Sequence, residues 1–210
     1  DMGRHLDRVG VMTSLVGGLV LAAMAGSAAA ATLHVANYGE DGPACGTAAS
    51  PGRTIGQAVT HPVPGDEVVV GPGRYGDVNA DGVIAPGASE EKPLVVSKPL
   101  VIRSSHGAGM TVLDAGNLGE PGSTHAVSID ASSVTFGGAR QGFTVTRASG
   151  TGIRLGPGTT GIRIEDNVLT ANRVGLETDG DAHVLVGNVV TKNDRGILGY
   201  GTGLEVRGNL

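Results

Sequence analysis

Lys192 and Arg195 stand close together near the end of a 210-residue chain, with Arg154 and Arg173 upstream at comparable points of a repeating pattern. Taking a proton from a carbon beside a carboxylate calls for a base, and for an Arg, Lys or metal cation that neutralises the carboxylate as charge builds up. Lys192 and Arg195 have the types for base or cation, and Arg154 for a cation that holds the ligand. The plainer alternative is that all are solvated turn and strand-exterior positions, with Arg173 in register with Asp194 as a coil-to-coil ion pair of little energetic worth. The densest acidic stretch, "ETDGDAH", alternates Glu177, Asp179 and Asp181. Carboxylates two apart on a strand share a face, and oxygen ligands of this kind suit Ca2+. Asp179 and Asp181 are thus candidate metal ligands and Glu177 a candidate binding carboxylate. The glycine and distal Glu of a calcium-binding helix-loop-helix are nevertheless out of place, and a Gly-Asp-rich turn accounts for the stretch as well. Tyr200, one of three tyrosines, has a ring suited to stacking on a flat ligand. No phosphate-cradling loop, zinc-type Cys/His cluster or serine elbow occurs, so no other cofactor is expected.

The element that must position these residues is a repeat. "NVLTANRVGL" begins at Asn167 and "NVVTKNDRGI" at Asn188, and the same step of 21 residues reaches Asn209. Asn172 and Asn193, Thr170 and Thr191, and Gly175 and Gly196 keep that step. A fixed period this short marks units that bury their apolar faces by stacking on one another. Within each unit apolar residues alternate, which is strand behaviour. Ile164, Leu185 and Val206 point inward, as do Ile162, His183 and Leu204. The rows Arg163, Val184, Glu205 and Glu165, Val186, Arg207 point outward.

Three short strands separated by bends make one turn of a parallel β-helix, rising about 4.8 Å per coil. Asn167, Asn188 and Asn209 then stack as a ladder at a tight bend, each Asn taking the left-handed backbone and bonding to the copies above and below. His183 is the anomaly among inward aliphatics, and such a histidine is more often hydrogen-bonded inside the bend than reactive. Upstream the repeat loosens, with 23 residues from Gly152 to Gly175, and residues 66–210 have room for about six or seven coils. In residues 31–65 a strand precedes "RTIGQAV", whose Ile55, Ala58 and Val59 have helical spacing. A short amphipathic helix there would cover the open end of the stack. No such cap is legible at the other end, so truncation is expected there, with another domain, another chain or a second copy covering the edge.

Composition narrows the class. Residues 1–30 combine Arg4 and Arg8 with an uncharged apolar run and then "SAAAAT", the layout of a secretory signal peptide cleaved near Ala29 to Ala31; the run is short for a membrane span. A net charge of −5 argues against a nucleic-acid partner. The single cysteine, Cys45, cannot form an internal disulfide, and the chain has no Trp and two Phe.

"LHVANYGEDGPACGTAASPGRTIGQAV", "PGDEVVVGPGRYGDV" and the Asn-Gly repeats together resemble secreted right-handed parallel β-helix repeat proteins of the pectate-lyase-like superfamily. The likeness spans nearly all of the mature chain. It implies an all-β right-handed parallel β-helix of about 21–23 residues per coil with a short N-terminal capping helix. It also implies an extracellular location and a polysaccharide partner, while leaving open lyase, hydrolase, epimerase or plain binding protein. In similar sequences a second cysteine often precedes "RTI"; here that place is Gly52. Two functions follow as expectations: a surface module presenting a rigid face to polysaccharide, with Arg154, Glu177 and Tyr200 on the ligand, or a lyase on acidic glycans with Lys192 or Arg195 as base or cation.

Overall fold

A computed structural model describes residues 29–83, 94–116 and 125–210; nearly all of the expected leader lies outside them. Within these residues short strands run parallel in three sheets. The first contains β1 (Thr32–Val35), β2 (Glu67–Val70), β5 (Val101–Ser104), β8 (Thr135–Gly137), β11 (Arg163–Glu165), β14 (Val184–Val186) and β17 (Glu205–Arg207) in that spatial order. The second contains β3 (Gly73–Gly76), β6 (Thr111–Asp114), β9 (Thr144–Thr146), β12 (Val168–Thr170) and β15 (Val189–Thr191). The third contains β4 (Leu94–Val96), β7 (Val127–Ile129), β10 (Thr151–Leu155), β13 (Val174–Asp179) and β16 (Arg195–Tyr200). From β2 onward each strand pairs with the one three places later in the chain. That pattern is compatible with a parallel β-helix. Its single-turn helix α1 (Ile55–Ala58) buries Ile55 and Ala58, and its N-cap Thr54 accepts from the Gln57 N–H through its hydroxyl.

Alternation puts one side chain per coil into each interior row. Val68, Ile102, Phe136, Ile164 and Leu185 lie directly over one another and are each 0 % exposed, whereas Val206 in the last coil is 51 % exposed. Each fully buried aliphatic or aromatic side chain contributes about 1.5–3 kcal/mol relative to exposure. The two phenylalanines, Phe136 and Phe143, pack with ring centroids 4.8 Å apart.

The expected asparagine ladder is present, and it is double. Asn167 Nδ2 donates to Asn188 Oδ1 at 3.2 Å, and Asn188 Nδ2 to Asn209 Oδ1 at 2.8 Å. The same oxygens accept the backbone N–H of the residue below, from Asn167 at 3.0 Å and Asn188 at 2.9 Å. Asn172 and Asn193 form a second rail at the next bend, with Nδ2 of Asn172 donating to Oδ1 of Asn193 at 3.2 Å. One expectation is corrected: the left-handed residue is the one before the ladder asparagine, Asp166 (φ 53°), Gly187 (φ 68°) and Gly208 (φ 58°). The turn is made there, which frees the asparagine to aim its amide along the stack. Gly175, like Gly152 below it, is needed for space rather than dihedral freedom, since a Cβ at Gly175 would lie 2.6 Å from Val190 and 3.0 Å from the Asn193 amide.

His183 behaves as a core residue. Its Nδ1 accepts from the Ile162 N–H at 3.2 Å, which places the ring proton on Nε2, where it is buried without a partner. Burial pushes the imidazole pKa down, opposed in part by Asp181. The unfolded chain takes up a proton below about pH 6.5 while the folded chain resists it, so stability falls as pH drops through that point. The thermal midpoint should therefore decline on acidification below about pH 6.5, and His183→Leu should remove part of that slope. Equal slopes for the two proteins would refute this account of His183.

Candidate functional site

Strand alternation also builds the outer face of the third sheet. Ile153 and Leu155 are buried, so Arg154 between them faces out. Val95, Ser128, Arg154, Glu177 and Leu198 are register partners in successive strands. Around this row, Arg154 Nη1 lies 3.7 Å from Asp130 Oδ1, and the Thr151 hydroxyl donates to Glu177 Oε2 at 2.9 Å. The Thr151 N–H donates to His125 Nδ1 at 3.3 Å. Burial, followed by the nearby Arg154 cation, lowers the His125 pKa against the opposing pull of Glu177 and Asp130, which favours the neutral imidazole. A half-buried histidine, a guanidinium and two carboxylates thus share one patch.

Of the residues singled out by sequence, the structure sets Arg154 and Glu177 side by side and pairs Asp179 with Tyr200, a residue 54 % exposed, further along the same sheet. Lys192 lies outside this sheet, and Arg195 stands at the start of its last strand, away from the Arg154–Glu177 row. Lys192 occupies the corner after β15, Arg195 begins β16 opposite Val174, and both are exposed. Asp181 Oδ1 accepts from the Thr202 N–H at 2.6 Å and hydroxyl at 2.8 Å, and these bonds hold its carboxyl below the usual range. Among the described residues no three His, Cys, Asp or Glu side chains are grouped to hold a metal ion. Arg173 and Asp194 keep their register through backbone bonds, but their side chains form no ion pair.

Two groups escaped the sequence. His125 and Asp130 flank β7, which precedes Arg154 by an irregular 26 residues from Ser128, so the regular period could not place them beside it. The other group is a buried ion network. Asp77 and Asp114 are 0 % and 3 % exposed, and Arg147 joins them, with Nε donating to Asp114 Oδ1 at 2.7 Å and Nη2 to Asp77 Oδ2. Arg74 also pairs with Asp114, and Arg147 Nη1 donates to the Ala80 carbonyl at 3.2 Å. The Gly82 N–H donates to Asp77 Oδ2 at 2.8 Å and the Gly116 N–H to Asp114 Oδ1 at 3.0 Å. Burial alone would raise the Asp77 pKa, yet the Gly82 amide and the Arg147 cation outweigh it and hold the carboxyl below its usual range. This network ties the ends of β3, β6 and β9 together. A cavity of about 490 Å³ lies beside it, lined among the described residues by Gly82, Gly116, Arg147 and Ala171.

Compared with models of known families, with curated protein sequences and with solved structures, the chain gives no match.

Proposed function

We propose that the chain is a right-handed parallel β-helix, secreted or held at the cell surface, whose third-sheet face binds extracellular polysaccharide. The carrying observation is the outward row Ser128, Arg154, Glu177, flanked by His125 and Asp130 and followed along the sheet by Asp179 and Tyr200. Stacked coils place successive members of this row about 4.8 Å apart, giving a linear array that a polymer can follow. Arg, Asp, Glu and His offer planar donors and acceptors to neighbouring hydroxyls, and Tyr200 offers a ring to a sugar face. Thr151 holds both Glu177 and His125 before any ligand arrives, so little side-chain freedom is lost on binding. A turn of helix at Ile55–Ala58 serves, in the same proposal, as the N-terminal cap. The net charge of −5 favours this partner over nucleic acid.

Screening the full chain on a glycan array should give binding to one glycan class, and Arg154→Ala should weaken it about tenfold or more. Glu177→Gln should weaken it less, because it keeps a hydrogen-bonding amide. Retention of wild-type affinity by both variants would move the site off this face. His125 beside Arg154 favours one second function, a polysaccharide lyase in which a neutral imidazole takes the proton and the guanidinium neutralises the uronate carboxylate. Incubation with pectate, alginate and glycosaminoglycans would then yield unsaturated products that His125→Ala abolishes. No product from any of them, with or without Ca2+, removes the lyase and leaves the binding module.

A further inference from the structure

We infer that a second site, independent of the third-sheet face, takes a small oxyanion, a carboxylate, sulfate or phosphate group, at the corner following the second sheet. Arg147, Ala171 and Lys192 each come directly after a strand of that sheet, and each has left-handed backbone, with φ of 59°, 54° and 55°. The register of β9, β12 and β15 stacks them in successive coils, about 4.8 Å apart. Two cations therefore flank an alanine. The missing side chain at Ala171 leaves a gap in the column, and the cavity of about 490 Å³ opens on its Arg147 side, where it meets Gly82 and Gly116.

Among the described lining residues Arg147 is the one charged side chain. Gly82 and Gly116 contribute backbone alone, and their N–H groups are already donated to Asp77 and Asp114. A guanidinium carries five N–H donors. Three of those on Arg147 go to Asp114, Asp77 and the Ala80 carbonyl, which leaves two. Two buried carboxylates pin the group in place, so its remaining donors are preorganised. Charge points the same way. Arg74 and Arg147 balance Asp77 and Asp114, whereas Lys192 is exposed and forms no ion pair among the described residues. Lys192 thus supplies a cation that neither buried carboxylate of the network neutralises. The depression is open to solvent, so the oxyanion can be borne on a larger molecule such as a sugar.

The test is calorimetric titration of the full chain at low ionic strength with sulfate, phosphate, acetate and a carboxylate-bearing monosaccharide, each against chloride at matched ionic strength. Saturable binding beyond chloride is expected. A rank favouring the monosaccharide over acetate assigns the group to a sugar, and the reverse rank to a free ion; either supports the site. Ala171→Glu places a carboxylate in the gap at a φ that Arg147 and Lys192 already adopt, so it should fold normally and weaken binding more than about tenfold. Lys192→Gln should weaken it about two- to fivefold. Heats no larger than those of chloride, or an Ala171→Glu variant that titrates like the wild type, would overturn the inference.

Discussion

Replacing Asn188 with alanine is expected to lower the midpoint of thermal unfolding by about 10 °C. The side chain is 1 % exposed and bonded on every side. Its oxygen accepts from Asn167 N and Nδ2, and its Nδ2 donates to the Ile164 carbonyl at 2.9 Å and to Asn209 Oδ1. Alanine would strand the Asn167 N–H inside the stack and remove the side-chain bond to the Ile164 carbonyl, which keeps its ladder partner. Each buried orphan costs about 1–3 kcal/mol. At this chain length a loss of 1 kcal/mol shifts the midpoint by about 2–4 °C, so one orphan together with the other lost bonds, each about 0.5–1.5 kcal/mol, corresponds to the expected drop. Asn209→Ala, where Asn209 is half-buried in the last coil, should do less because water can replace the lost bonds. Asn188→Asp separates geometry from shape. A carboxylate would turn an acceptor toward the Ile164 carbonyl and Asn209 Oδ1, so it should unfold as readily as the alanine variant at neutral pH and recover on acidification. Circular dichroism melts of the three variants decide the matter, and midpoints within 2–3 °C of wild type for Asn188→Ala would show that packing alone holds these coils.

Arg147→Met should be about as damaging, and its pH dependence should run opposite to that of the wild type. Removing one partner of a buried ion network costs about 3–5 kcal/mol, because the remaining charges stay buried without compensation. In the wild type, Asp77 is held below its usual pKa, so its contribution is present above about pH 4 and is lost as pH falls through the folded-state pKa. Without Arg147, desolvation is opposed at Asp77 chiefly by backbone amides. Its pKa should then rise, and the variant should lose stability as pH increases past about 4 instead of gaining it. Urea unfolding between about pH 3.5 and pH 7 measures both slopes. Parallel curves for the two proteins would mean that the Arg147 charge does not stabilise Asp77.

Sequence alone determined the rows. A step of 21 residues named Asn167, Asn188 and Asn209 as a ladder, put Ile164 over Leu185, and placed Glu165 and Val186 on the outside. Each of these depends on a residue type recurring at a fixed spacing, because equal coil lengths return equal positions to the same point of the stack. Tertiary structure alone decided which unlike residues meet. Arg147 and Asp77 are 70 residues apart, and His125 and Thr151 are 26 apart, off the regular period. Such neighbours are fixed by the summed lengths of intervening bends, which vary from coil to coil and leave no periodic trace. The left-handed residue was misplaced by one position for a related reason: a bend divides its strain between adjacent residues according to backbone geometry, and an asparagine and its predecessor look equally suited until the amide is seen pointing along the stack.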